Sequence, residues 1–166
     1  QAPERLSNIV SYIREHFDQK TKRNSYYQLK ERRLAGFNSI FAVSSIDTAK
    51  KYYQEFQNQM AGLPADRQLK VALIYSFGVN EDPGNGFLDD ENPADTALLD
   101  QSSRDFLESA IQDYNRTFRT NYDTSGDKFE NYYKDVSNRV KNRDIDLLLV
   151  VNMFLTGFDA TTLNTL

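Results

Sequence analysis

Two short segments hold residues that could bind a phosphorylated ligand. The first is Ser44-Ser45. It follows the apolar, β-branched and aromatic run Ser39–Val43 and precedes a helical pattern of Ile46, Ala49, Tyr52, Tyr53, Phe56 and Met60. Two hydroxyls between a strand and a helix start, together with the free N–H groups of the first helical turn, make a cradle suited to a phosphate. Plain N-capping is the competing reading: Ser44 with Asp47 resembles a capping box, with Asp replacing the usual Glu. The second segment is Asn152–Asp159, after the most apolar strand candidate of the chain. Thr156 offers a hydroxyl, Gly157 allows close backbone approach, and the Asp159 carboxylate can accept hydrogen bonds from a ribose. A turn that uses Gly and Asp for backbone reasons alone is the alternative there.

Other chemistries find little support. No G-x-x-x-x-G-K-[ST] phosphate loop is present, and Gly84-Asn85-Gly86 lacks both the lysine and a preceding strand. His16 is the sole histidine, lies on an expected helix and reads as a surface or packing residue. With no cysteine, a disulfide scaffold, a thiol nucleophile and a cysteine zinc site are excluded, which fits a reducing cytoplasm. Carboxylate spacing picks out no metal site. No catalytic residue is therefore expected within the chain, and alone it is not expected to hydrolyse ATP.

The elements that must hold these segments follow from periodicity. Composition is 39% hydrophobic and 27% charged, as in a soluble globular domain, and no run approaches bilayer-spanning length. Residues 1–35 read as a helical lead-in: Leu6, Ile9, Val10, Ile13 and Phe17 mark one helix, and Tyr26, Tyr27, Leu29 and Leu34 suggest a second that stops at Gly36. Residues 36–166 then alternate strands with helices. Lys70–Phe77 reads as a strand. Ser102 opens a helix with Phe106, Leu107, Ala110, Ile111, Tyr114 and Phe118 on its face, and a further helix carries Phe129, Tyr133, Val136 and Val140. Ile145–Val151 reads as a central strand covered on both faces, and Leu163–Leu166 opens another. The alternation implies an α/β fold with a parallel sheet flanked by helices. Residues 78–101, rich in Gly, Pro, Asn and Asp, read as an acidic surface insertion.

The net charge of −4 argues against gripping nucleic acid by bulk charge, so distribution matters more. Acids crowd Glu81–Asp100. Bases collect at Lys20, Lys22, Arg23, Lys30, Arg32 and Arg33, and again at Arg139, Lys141 and Arg143. A DNA-facing surface would avoid the first stretch and could use the other two, although charge runs are usually only solvated faces.

The run Asn38-Ser-Ile-Phe-Ala-Val-Ser-Ser45 with Ala49-Lys-Lys-Tyr-Tyr53 resembles motif IV of the R subunits of type I restriction–modification enzymes. The run Asp144–Leu166, above all Met153–Asn164, resembles their motif V and its continuation. Lys70–Phe77, Phe106–Asn115 and Asn131–Lys141 also resemble that family, so the likeness covers nearly the whole chain. It implies a superfamily 2 motor, in which two RecA-like lobes clamp ATP and Mg²⁺ and pump double-stranded DNA, while a separate nuclease domain cuts it. The chain would be the second lobe of this P-loop NTPase helicase fold, truncated before its last strands and before motif VI. Its sheet is then expected to be incomplete at one edge. ATP and Mg²⁺ would be bound mainly by the first lobe. By the same resemblance Ser44, Ser45 and Thr156 would contact DNA phosphates, and Gly157 and Asp159 the nucleotide ribose. Partners would be double-stranded DNA, the rest of the R subunit, and the methyltransferase and specificity subunits, in the cytoplasm and away from membranes. A lobe of another superfamily 2 translocase and a non-catalytic α/β interaction module remain the alternatives.

Overall fold

Leu147–Val151 forms strand β5, and each of its five residues is buried. It lies at the centre of the chain's larger sheet, as its uninterrupted apolar run requires. The computed structural model describes residues 2–75, 101–151 and 163–165. In chain order these form α1 (Pro3–Thr21), β1 (Tyr26–Leu29), β2 (Arg32–Ala35), β3 (Asn38–Val43), α2 (Ile46–Met60), β4 (Val71–Tyr75), α3 (Gln101–Phe118), α4 (Gly126–Lys141), β5 and β6 (Leu163–Thr165). The sheet runs β4-β5-β3-β6 with every pairing parallel, and α2, α3 and α4 pack against it, as the alternation of elements demands.

Helix faces supply the core. Ala49, Tyr52, Tyr53, Phe56 and Met60 of α2 are buried, as are Leu107, Ala110, Ile111 and Tyr114 of α3. Each large apolar side chain taken from water contributes roughly 1.5–3 kcal/mol. Buried hydroxyls find partners: Tyr132 donates to the Leu73 carbonyl at 2.7 Å, and Tyr114 to Asp135 Oδ2 at 2.6 Å. Burial, with the Asp135 carboxylate beside it, pushes the Tyr114 phenol above its ordinary range; burial with Asp113 does the same to Tyr53. α1 lies on α2 along a polar seam in which Ser7 donates to Glu55 Oε1 at 2.7 Å and Arg14 Nη1 to Gln59 Oε1 at 2.8 Å.

Four expectations are corrected. The stretch from Tyr26 to Leu34 is a β-hairpin, not a second helix. Lys22 adopts a left-handed conformation (φ 51°) and terminates α1, and Lys30 (φ 55°) turns the chain back over a two-residue loop. Paired tyrosines suit a strand, so local propensity and turn geometry override an ambiguous spacing. On α4 the buried tyrosine is Tyr132, with Tyr133 only partly buried, since both positions fit a 3.6-residue period beside Phe129 and Val136. The cap of α2 is Ser45 rather than Ser44: its Oγ accepts from the Thr48 N–H at 3.2 Å. The stretch 78–100 lies outside the described residues; Gln101, its expected last residue, is instead the first residue of α3.

A buried ionic anchor fixes the amino ends of the strands. Asp146 accepts from the Lys70 N–H at 2.8 Å, from Arg143 Nη1 at 2.8 Å and from Arg23 Nη2 at 3.3 Å. The side chains of Arg143 and Asp146 are only 5% and 7% exposed, so this pair is internal. Asn38 Nδ2 donates to the Val140 carbonyl at 2.7 Å and ties the start of β3 to the end of α4.

Candidate functional site

Parallel strands bring all their carboxyl ends to one edge, which is where open α/β sheets bind ligands. In this sheet Val43, the last residue of β3, is in register with Val151, the last of β5; Tyr75, the last of β4, pairs with Val151 from the other side. The chain therefore leaves β3 into Ser44 and β5 into residue 152 at the same level, on neighbouring strands. Thr156, Gly157 and Asp159 lie outside the described residues, but the strand that leads to them is fixed beside the one that leads to the serines.

The serine step is built from β3 and α2. Ser44 is exposed. Ser45 is extended (φ −153°, ψ 158°), caps Thr48 N–H, and donates to Thr48 Oγ1 at 2.9 Å. Its carbonyl takes the Ala49 N–H at 3.0 Å. The Ile46 and Asp47 N–H groups are then the donors left at the mouth of α2. They and the Ser44 hydroxyl can hydrogen-bond an anion's oxygens. Asp47, in the first turn, places a carboxylate near those donors and limits how much negative charge the site attracts. The capping reading is thus true of Ser45, while Ser44 keeps its hydroxyl directed to no described cap.

A metal finds no cage here: among the described residues no three His, Cys, Asp or Glu side chains are grouped to hold one.

Two of the three bases of the second cluster are held by carboxylates, while Lys141 is exposed. Arg143 is buried against Asp146, and Arg139 bonds Asp135 Oδ2 at 2.8 Å while its guanidinium lies 4.4 Å from the Phe118 ring centroid. Arg23, from the first cluster, is likewise committed to Asp18 and Asp146. What periodicity missed is the hairpin, where Arg33 stacks over Tyr26 at 4.4 Å. The signal available was β propensity on either side of Lys30-Glu31. No described helix is long and apolar enough to cross a membrane.

Residues 35–166 match a family model described as type I restriction enzyme subunit R domain 3. The chain is 38% identical over 167 residues to the type I restriction enzyme SauMRSORF196P endonuclease subunit of Staphylococcus aureus strain MRSA252. It is 37% identical over 165 residues to the SsaAORF53P endonuclease subunit of Staphylococcus saprophyticus. The alignments cover 99% and 98% of this chain and 15% of each relative, so the chain spans about 15% of the length of these proteins.

Proposed function

Since the chain belongs to the type I restriction enzyme R-subunit family, matching its domain 3, we propose that it is part of the second RecA-like lobe of an ATP-driven double-stranded DNA translocase. The observation that supports this most is the register of Val43 with Val151. It sets the exits toward Ser44-Ser45 and toward Thr156-Gly157-Asp159 side by side, as a lobe needs if nucleotide state is to alter its hold on DNA.

In this reading Ser44, Ser45 and Thr156 hydrogen-bond backbone phosphates. Such contacts position a duplex without reading its sequence, as a motor that moves over all sequences requires. Asp159 accepts hydrogen bonds from the ribose hydroxyls of ATP, with Gly157 letting the backbone approach. ATP, with its Mg²⁺, supplies the phosphoryl-transfer energy when bound, and the first lobe holds most of it. Residues 1–35 lead in from that lobe. The methyltransferase and specificity subunits, and a cytoplasmic setting, complete the proposal.

The test is duplex binding by the full-length R subunit carrying Ser44→Ala with Thr156→Ala. Losing two hydrogen bonds to anionic phosphates, at roughly 1.5–3 kcal/mol each, weakens binding by at least about a hundredfold. Unchanged affinity removes these residues from the DNA interface.

A further inference from the structure

We propose that the β1–β2 hairpin, with the left-handed turn that ends α1, is a second contact to the backbone of duplex DNA. This rests on the translocase reading above and adds a surface to it. Between Lys20 and Arg33 the sequence holds six basic residues and one acidic residue, Glu31, in a chain whose net charge is −4. Lys22 and Lys30 are exposed at the two left-handed turns, where the backbone projects them outward. Among the described residues, Lys22, Lys30 and Arg33 have no carboxylate partner, in contrast to Arg23, Arg139 and Arg143, which are held by Asp146 or Asp135.

Arg33 is stacked rather than loose. Its guanidinium lies over the ring of Tyr26, which is 63% exposed. Stacking restrains the planar fork, so less conformational freedom is lost when it meets a phosphate. The base of the arm is fixed as well. The Gly36 N–H donates to the Ser25 carbonyl at 2.7 Å, and the Phe37 N–H to the Thr21 carbonyl at 2.7 Å, which bind the hairpin to the end of α1.

The hairpin enters β3 at its amino end, and the serine step leaves at the carboxyl end. Six residues of strand separate them by roughly 20 Å at about 3.3 Å per residue. Along a duplex that distance is about six base pairs, at about 3.4 Å each. The two contacts can therefore reach one stretch of DNA.

The experiment uses the full-length R subunit and a short duplex of mixed sequence, with affinity measured as a function of salt. Each phosphate contact contributes about 0.9 to the slope of log affinity against log salt. Lys22→Gln, Lys30→Gln and Arg33→Gln together should flatten the slope by about 2 to 3 and weaken low-salt binding at least tenfold. Lys30→Glu, which disturbs no packed side chain, should reproduce part of the loss, and Arg33→Lys should retain the slope. An unchanged slope in the triple variant overturns the hairpin proposal, while loss on Ser44→Ala with Thr156→Ala in the same assay leaves the translocase reading standing. Normal duplex binding with failed assembly onto the methyltransferase subunit also overturns it, and makes the arm a protein-docking element. A wild-type subunit that binds no duplex overturns both readings.

Discussion

Val43 and Val151 are register partners on neighbouring parallel strands, and each is the last residue of its strand. Two segments separated by more than a hundred residues thereby start from one edge of the sheet. The pairing continues inward through Ala42 with Val150 and Phe41 with Leu149. A polar residue at a buried position of β5 should break it. Val150→Asp, at a fully buried site, leaves an uncompensated carboxylate and should prevent stable folding, as read by loss of a cooperative thermal transition.

The Asp146 anchor should be equally sensitive. Asp146→Ala leaves Arg143, with a side chain 5% exposed, without its counter-charge. The expected loss is about 3–5 kcal/mol by urea unfolding. Replacing Arg143 and Asp146 together by apolar residues should restore much of it, because neither charge then remains buried alone.

Gly36 is required where it stands. Its φ is +59°, and an added Cβ would lie 2.5 Å from the backbone of Lys22 and Arg23. Gly36→Ala should destabilise by more than about 1 kcal/mol, while Gly126→Ala, with open space around it, should be neutral or stabilising by about 0.4–1 kcal/mol. Thermal melts of the two variants decide this.

These residues also mark how far the sequence could be read. The apolar runs of β3, β4 and β5 and the stripes of α1, α2 and α3 were legible because their periods match one element type only. Tyr26, Tyr27, Leu29 and Leu34 were not, since their spacing fits a helix while the deciding facts are left-handed turns at Lys22 and Lys30. Likewise Ser44 and Ser45 are chemically equivalent caps, and only the backbone of Ser45 selects it. Of the candidate site, the strand ends follow from the alternation of elements. Their adjacency depends on the strand order β4-β5-β3-β6, which alternation alone does not determine.

Asp123 gives a pH signature. Hydrogen bonds from Lys128 and Ser125 lower its pKa from 3.8 to about 2. A depressed carboxylate contributes stability that is present above its unfolded pKa and lost as pH falls through the folded one. The stability advantage of wild type over Asp123→Asn should therefore be constant above about pH 5 and be lost progressively between about pH 5 and pH 1. A difference that does not shrink as pH falls from about 5 to 1 contradicts the assignment. A carboxyl NMR titration reads the same value directly.

We propose that the edge shared by β3 and β5 serves an ATP-driven DNA motor. It is tested most directly by DNA-stimulated ATP turnover of the full-length R subunit carrying Asp159→Ala. Removing a charged acceptor from the ribose costs about 1.5–3 kcal/mol, so turnover at limiting ATP should fall at least about tenfold, with the subunit still folded. Turnover equal to wild type would contradict the placement of nucleotide at this edge.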